Sequence, residues 1–325
     1  MLTSVAKKFF SYLLKAVILV LAFLFIYHQY LVKGNNLKEF QIAIQHLRHQ
    51  QVIIVMSAVV LLMFANWLVE CFKWRYLTQK LVKISLWKCI EGVFCGLTWA
   101  IFTPNRIGEY GGRVMFLPPR KRIHGVFAMA VGSFGQMVIT NILGAAAFIW
   151  FCFTFLHLSW WLLVLITIIA VVFMIFFAIA FFNIKWLVKL LNSISFLRKY
   201  HRFFDIMAAY QFAELLKIMW FCLTRFFIFS LQYYLVIHLL IPQIPLVEVM
   251  LLVFMVFFIQ SALPSLDLLD VPVRATASAT LFAYVNAPQI AVIAAFTSIW
   301  LINLIIPAIL GSVFIFNLKF FDRNL

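Results

Sequence analysis

Acidic residues are scarce in this chain: ten Asp and Glu in 325 residues, against 26 Lys and Arg. Only 11% of residues are charged, well under the about one quarter usual in soluble domains, and 66% are hydrophobic. That balance excludes a soluble globular protein. Cysteine is also sparse, and Cys71, Cys89, Cys95, Cys152 and Cys222 each stand alone in or beside an apolar run, as reduced packing residues do. The seven histidines are scattered, and their one close pair, His46 and His49, falls in a polar surface segment. No metal cluster and no cofactor are expected. No nucleophile and base recur at usable spacing, so the sequence does not read as an enzyme.

What remains is apolar sequence in runs near the ~20 residues that a helix needs to cross ~30 Å of hydrocarbon. The fold class is an all-α integral membrane protein. Six full spans are expected, at 11–31, 52–72, 123–156, 160–182, 218–241 and 289–317. Two further apolar segments, 86–118 and 246–287, are interrupted by Pro, Gly or charge, as broken or re-entrant hairpins are. Segment 35–51 has Leu37, Phe40, Ile44 and Leu47 at helical spacing and is expected to lie on the outer surface.

A net charge of +16 would suggest nucleic acid in a soluble protein, but basic residues in membrane proteins gather in cytoplasmic loops and face anionic lipid. Placing the N-terminus inside by Lys7, Lys8 and Lys15 puts 19 of the 26 basic residues on the cytoplasmic side. Only Lys33, Lys38 and Arg48 then lie outside. Both termini are cytoplasmic on this count. The first hairpin is reached from the cytoplasm and the second from outside.

The densest polar signal is Thr103-Pro104-Asn105-Arg106-Ile107-Gly108-Glu109-Tyr110-Gly111-Gly112-Arg113. A charge at membrane depth costs roughly 2.5–3.5 kcal/mol or more and normally pairs or lines a polar cavity. Thr103 can cap and Pro104 can take the first helical position, so a helix is expected to start there with its amides and Arg106 facing an anion. Glu109 and Arg113, four apart, can pair. Arg106, Glu109 and Arg113 share their i, i+3, i+7 spacing with Asp267, Asp270 and Arg274, at a constant offset of 161. An inverted-topology repeat is therefore expected, with a first half at 52–182, a cytoplasmic linker at 183–217 and a second half at 218–317. Asp267 and Asp270 could hold a proton or cation beside Arg274, and Arg225 and Glu248, inside or at the ends of apolar runs, could complete a charge network. Glu70 and Glu91 are expected to pair at the interface with Lys73 and Lys88. Gln136, Asn141, Gln260 and Asn303 are expected to bond between helices.

The run from Thr103 to Arg113, preceded by Arg75-Tyr76-Leu77, resembles the transmembrane domain of lysylphosphatidylglycerol synthase/flippase proteins and their stand-alone relatives. The likeness extends over most of the chain. Where that family carries a glycine-rich run before Val273-Arg274, this sequence has Asp267-Leu-Leu-Asp270-Val-Pro. The resemblance implies translocation of a lipid in a bacterial inner membrane, with a phospholipid or polyprenyl-phosphate lipid as partner. The chain stops at Leu325, without the family's soluble aminoacyl-transferase domain, so synthesis is not expected. The expected substrate-binding set is Thr103, Asn105, Arg106, Glu109, Arg113, Arg225, Asp267, Asp270 and Arg274. A membrane-embedded transferase acting on a polyprenyl-phosphate lipid, or a non-transporting partner of a lipid or glycan biosynthetic enzyme, are the alternatives.

Overall fold

The structure is a computed structural model that describes residues 48–101, 103, 106–194, 201–262 and 270–315, with backbone alone for 202, 270–275 and 315. The expected span at 11–31, most of segment 35–51, Asn105 and Asp267 lie outside the described residues. All described secondary structure is helical. In chain order the helices are α1 (His49–Thr78), α2 (Leu86–Ala100), α3 (Ile107–Val114), α4 (Arg122–Phe155), α5 (Trp160–Phe182), α6 (Ile184–Ser193), α7 (His201–Ala208), α8 (Phe212–Leu240), α9 (Leu246–Ala262), α10 (Asp270–Ala283), α11 (Gln289–Trp300) and α12 (Ile306–Ile315).

Four stretches are long and apolar enough to cross a membrane: His49–Thr78, Pro119–Phe155, Trp160–Phe182 and Gln289–Phe314. The expected span at 218–241 falls within α8, which has 29 residues but carries Arg225, Gln232 and His238 along it. Helix α5 buries only Ala170 and Phe181 and leaves about half of its residues exposed, Trp161, Ile169 and Phe176 among them, as expected of a helix with one face toward lipid.

Local sequence accounts for several boundaries. Ser85 caps α2 by accepting from the Lys88 amide at 3.3 Å, and Gln211 with Glu214 forms a reciprocal capping box at the start of α8. Pro118 and Pro119 separate α3 from α4 through a single 3₁₀ turn. The last span is not a uniform helix. Leu301–Ile305 forms a π turn between α11 and α12, because Pro307 has no amide and its ring crowds the carbonyl four residues before it, at Asn303.

Helices α2 and α3 pack antiparallel-fashion as one hairpin, and the close approach is set by glycine. A Cβ on Gly112 would run into the Gly96 and Cys95 backbone, and one on Gly96 would meet the Glu109 carbonyl oxygen at 2.8 Å. Thr103 stitches the bend: its hydroxyl lies 3.2 Å from the Trp99 carbonyl and accepts from the Gly108 amide at 2.7 Å. The expected second hairpin contains α9 and α10, with its bend outside the described residues.

Helix α1 lies along α8, α2 packs on α12, and α9 packs on α4. Each of the last two contacts contains a glycine and a hydroxyl hydrogen bond. Gly311 of α12 admits Phe94 and Thr98 of α2, and Gly144 of α4 admits Phe258 of α9. Thr98 donates to the Ala308 carbonyl at 2.9 Å, and Ser261 donates to Asn141 Oδ1 at 3.1 Å. The Tyr210 hydroxyl donates to the Leu77 carbonyl at 2.7 Å, and Lys80 bridges to Glu214 at 2.7 Å, fastening the end of α1 to the start of α8.

Candidate functional site

One carboxylate organises the polar interior. Glu70, on α1, is 3% exposed and meets three cations: Lys73 one turn along at 2.8 Å, Arg113 of α3 at 2.5 Å, and Arg225 of α8. The Arg225 guanidinium also donates to Asn66 Oδ1 at 3.1 Å and stacks 5.2 Å from the Trp67 ring centre, which offsets its removal from water. Asn66, Glu70 and Lys73 are on one face of α1 by their i, i+4, i+7 spacing.

A second carboxylate, Glu109, receives Arg113 and Arg106, the latter at 3.0 Å. Arg113 therefore spans both acids and ties α3 to α1. Arg106 precedes α3 with φ 56° and ψ 27°, the left-handed region that side chains other than glycine seldom occupy. Strained backbone of this kind concentrates at sites where the surrounding structure fixes it.

Lys73, Arg106, Arg113 and Arg225 outnumber Glu70 and Glu109, so the cluster holds two more cations than anions among the described residues. Exposure decides where that surplus is presented. The Arg113 and Lys73 side chains are 1% and 4% exposed, whereas those of Arg225 and Arg106 are 16% and 37% exposed. Both of the latter line a cavity of about 570 Å³, as do Glu70, Lys73 and Glu109. Neutral polar groups, Ser133, Gln136 and Thr140 of α4, Gln260 and Ser261 of α9 and Asn303 of the π turn, also line it, with Phe229, Phe257 and Trp300. The volume falls in the range of small-molecule sites, roughly 300–1,000 Å³.

The sequence expectations fare unequally. Arg106, Glu109, Arg113 and Arg225 meet in one network as expected, and Thr103 sits at its edge. Helix α3 starts at Ile107, three residues later than the Thr103-Pro104 signal suggests, because Arg106 in the left-handed region breaks the helical path. Thr103 still serves an α3 amide, from five residues away. Arg113, named in the expected substrate-binding set, pairs with Glu109 as its spacing suggests, is buried, and is not among the residues that line the cavity. Asp270 opens α10 and Arg274 lies one turn further, but their side chains, like Asn105 and Asp267, are outside the described residues.

Glu70 was not in the expected set. Its pair with Lys73 is present, at the buried centre of the cluster. An acid within the apolar run of α1, on the face of Asn66, was the available signal. Asn303 does bond between helices, donating to Gln232 Oε1 at 2.9 Å, yet it also lines the cavity. Among the described residues no group of three metal-ligating side chains is present. Compared with protein-family models, curated proteins and solved structures, the chain matches none of them.

Proposed function

We propose that this protein translocates a lipid, passing an anionic, phosphate-bearing headgroup through the cavity while the acyl chains stay in the bilayer. The observation that carries this reading is the surplus positive charge that Arg106 and Arg225 present to a polar cavity inside a bundle of membrane-length helices. Guanidinium groups suit phosphate because their planar fork matches its oxygens. In this reading Arg225 and Arg106 bind the phosphate, Arg113 and Glu109 hold the hairpin that carries Arg106, and Asp267, Asp270 and Arg274 serve the outer half.

The hairpins are read as re-entrant. Helices of 15 and 8 residues rise only about 22 and 12 Å, and neither crosses ~30 Å of hydrocarbon alone. The two halves are read as an inverted repeat. A shift of about 161 residues carries α1, α2, α3 and α4 close to α8, α9, α10 and the start of α11, and the α2–α12 contact has its counterpart in α9–α4. Rocking one half against the other would then alternate access to the cavity. The excess of Lys and Arg in the intervening loops supports a bacterial inner-membrane orientation with both termini cytoplasmic.

The test is leaflet accessibility of labelled phospholipids and polyprenyl-phosphate lipids in liposomes containing the purified protein. Wild type moves one lipid class, and Arg106→Ala and Arg225→Ala abolish that movement while leaving the folded yield unchanged. Folded protein that moves no lipid, or variants that move it as well as wild type, would overturn the reading.

A further inference from the structure

Helix α6 follows the long apolar α5 after a single residue, Asn183, whose φ of −108° and ψ of 42° end the helical path. The Asn183 side chain donates to the Ile179 carbonyl at 3.1 Å, and its own carbonyl accepts from the Trp186 amide at 2.7 Å, so the bend is bonded on both sides. With 23 residues, α5 rises about 35 Å, just past the ~30 Å of hydrocarbon. Exposed tryptophans mark both of its ends, Trp160 and Trp161 at the start and Trp186 beyond the bend. Tryptophan gathers at the two membrane–water boundaries, which puts α6 at one of them.

Consecutive helix residues are turned by about 100°, and α6 thereby presents three stripes. Ile184 and Val188 are buried, and the helix packs on α7, which packs in turn on α4. Lys185 and Lys189 form the second stripe, both exposed. Trp186 and Leu190, each 63% exposed, form the third, roughly opposite the buried pair. Charge is lopsided here as well. Residues 183–210 hold Lys185, Lys189, Arg198, Lys199 and Arg202 against one acid, Asp205, whereas residues 156–159, at the other end of α5, hold no Lys, Arg, Asp or Glu. We propose that α6 is a docking surface for anionic phospholipid, with Trp186 and Leu190 set among the upper acyl chains and Lys185 and Lys189 on the acidic headgroups beside them. A lysine stripe next to an apolar stripe is the pattern that binds an anionic membrane surface. A second copy of the chain fits less well, because a symmetric contact through Trp186 and Leu190 would bring the lysines of both copies together. No residue of α6 lines the cavity, so this surface stands whether or not the protein moves lipid.

The five native cysteines are buried, so Leu190→Cys gives one accessible site for an apolar fluorophore on the full chain. The labelled protein is placed in nanodiscs of equal amounts of phosphatidylglycerol and phosphatidylcholine, with bromine high on the acyl chains of one lipid at a time. Quenching then reports which lipid lies against α6. Brominated phosphatidylglycerol should quench as though enriched about fivefold over brominated phosphatidylcholine. Lys185→Gln with Lys189→Gln should make the two lipids equal while both still quench, since the apolar stripe stays in the bilayer. Molar salt should shrink the preference with the lysines in place, a check that needs no lysine variant. Equal quenching by the two lipids before any lysine is changed, or a preference that survives both the substitutions and the salt, would overturn the anionic-lipid surface. Absence of quenching by either lipid would do the same, and cross-linking between two chains at position 190 would then show a second copy covering the face.

Discussion

Arg113 donates to Glu70 at 2.5 Å with both side chains at most 4% exposed, so the first hairpin is anchored to α1 through a charge pair shut away from solvent. Breaking a buried pair by deleting one partner typically costs 3–5 kcal/mol, because the other charge stays buried. Here Glu70 keeps Lys73 and Arg225, which softens the loss. Arg113→Met should lower stability by roughly 3 kcal/mol and reduce the thermal unfolding midpoint in detergent. Arg106→Ala, whose side chain is far more exposed, should leave that midpoint nearly unchanged. Equal losses from the two would contradict the division between strut and ligand-facing arginine.

The hairpin crossing makes a sharper steric prediction. Gly112→Ala puts a methyl group into the Gly96 backbone and should destabilise by about 1–3 kcal/mol. Gly111→Ala, one residue earlier, finds only the Trp99 ring at an ordinary contact distance of 3.5 Å and should be tolerated. Thermal melts of the two variants check it, and a reversed order would mean that α2 and α3 do not cross as described.

Thr103→Val removes the acceptor of the Gly108 amide, leaving a helix-start donor unmet. A loss of about 1 kcal/mol is expected, by analogy with helix caps, and Thr103→Ser should restore most of it. Hydrogen exchange at Gly108 gives the direct readout: faster in the valine variant, near wild type in the serine variant.

Glu70→Gln removes the acid that competes for Arg225. The variant should melt at lower temperature, since Lys73, Arg113 and Arg225 lose a shared counter-ion. Millimolar inorganic phosphate should then raise its midpoint more than it raises that of wild type, because an anion that binds the folded state stabilises it in proportion to its occupancy. No difference in the phosphate response would argue that Arg225 is not open to anions.

Much of this was legible in sequence, for identifiable reasons. Long apolar runs mark α1, α4 and α5 because bilayer thickness sets their length. Glu109 and Arg113 pair because four residues on a helix is one turn. The rest depends on relations that no local window contains. Glu70 with Lys73 three residues on looks self-sufficient in one dimension, and only the packing of α3 and α8 against α1 brings Arg113 and Arg225 to the same carboxylate. The start of α3 misled because Thr-Pro is a strong helix-start signal, whereas Arg106, an ordinary residue type, takes the left-handed backbone that its identity does not announce. The π turn was announced by Pro307, but its effect, placing Asn303 on the cavity wall, required the positions of neighbouring helices.

The sharing of Glu70 has a consequence for motion. Lys73 and Arg113 belong to the same half of the chain as Glu70, while Arg225 belongs to the other. The Glu70–Arg225 pair is thus one of several contacts along the seam where α1 lies along α8. If the translocation proposal holds, a phosphate arriving at Arg225 would take over bonds that the carboxylate now supplies and loosen this one contact, so arrival of cargo would weaken the seam.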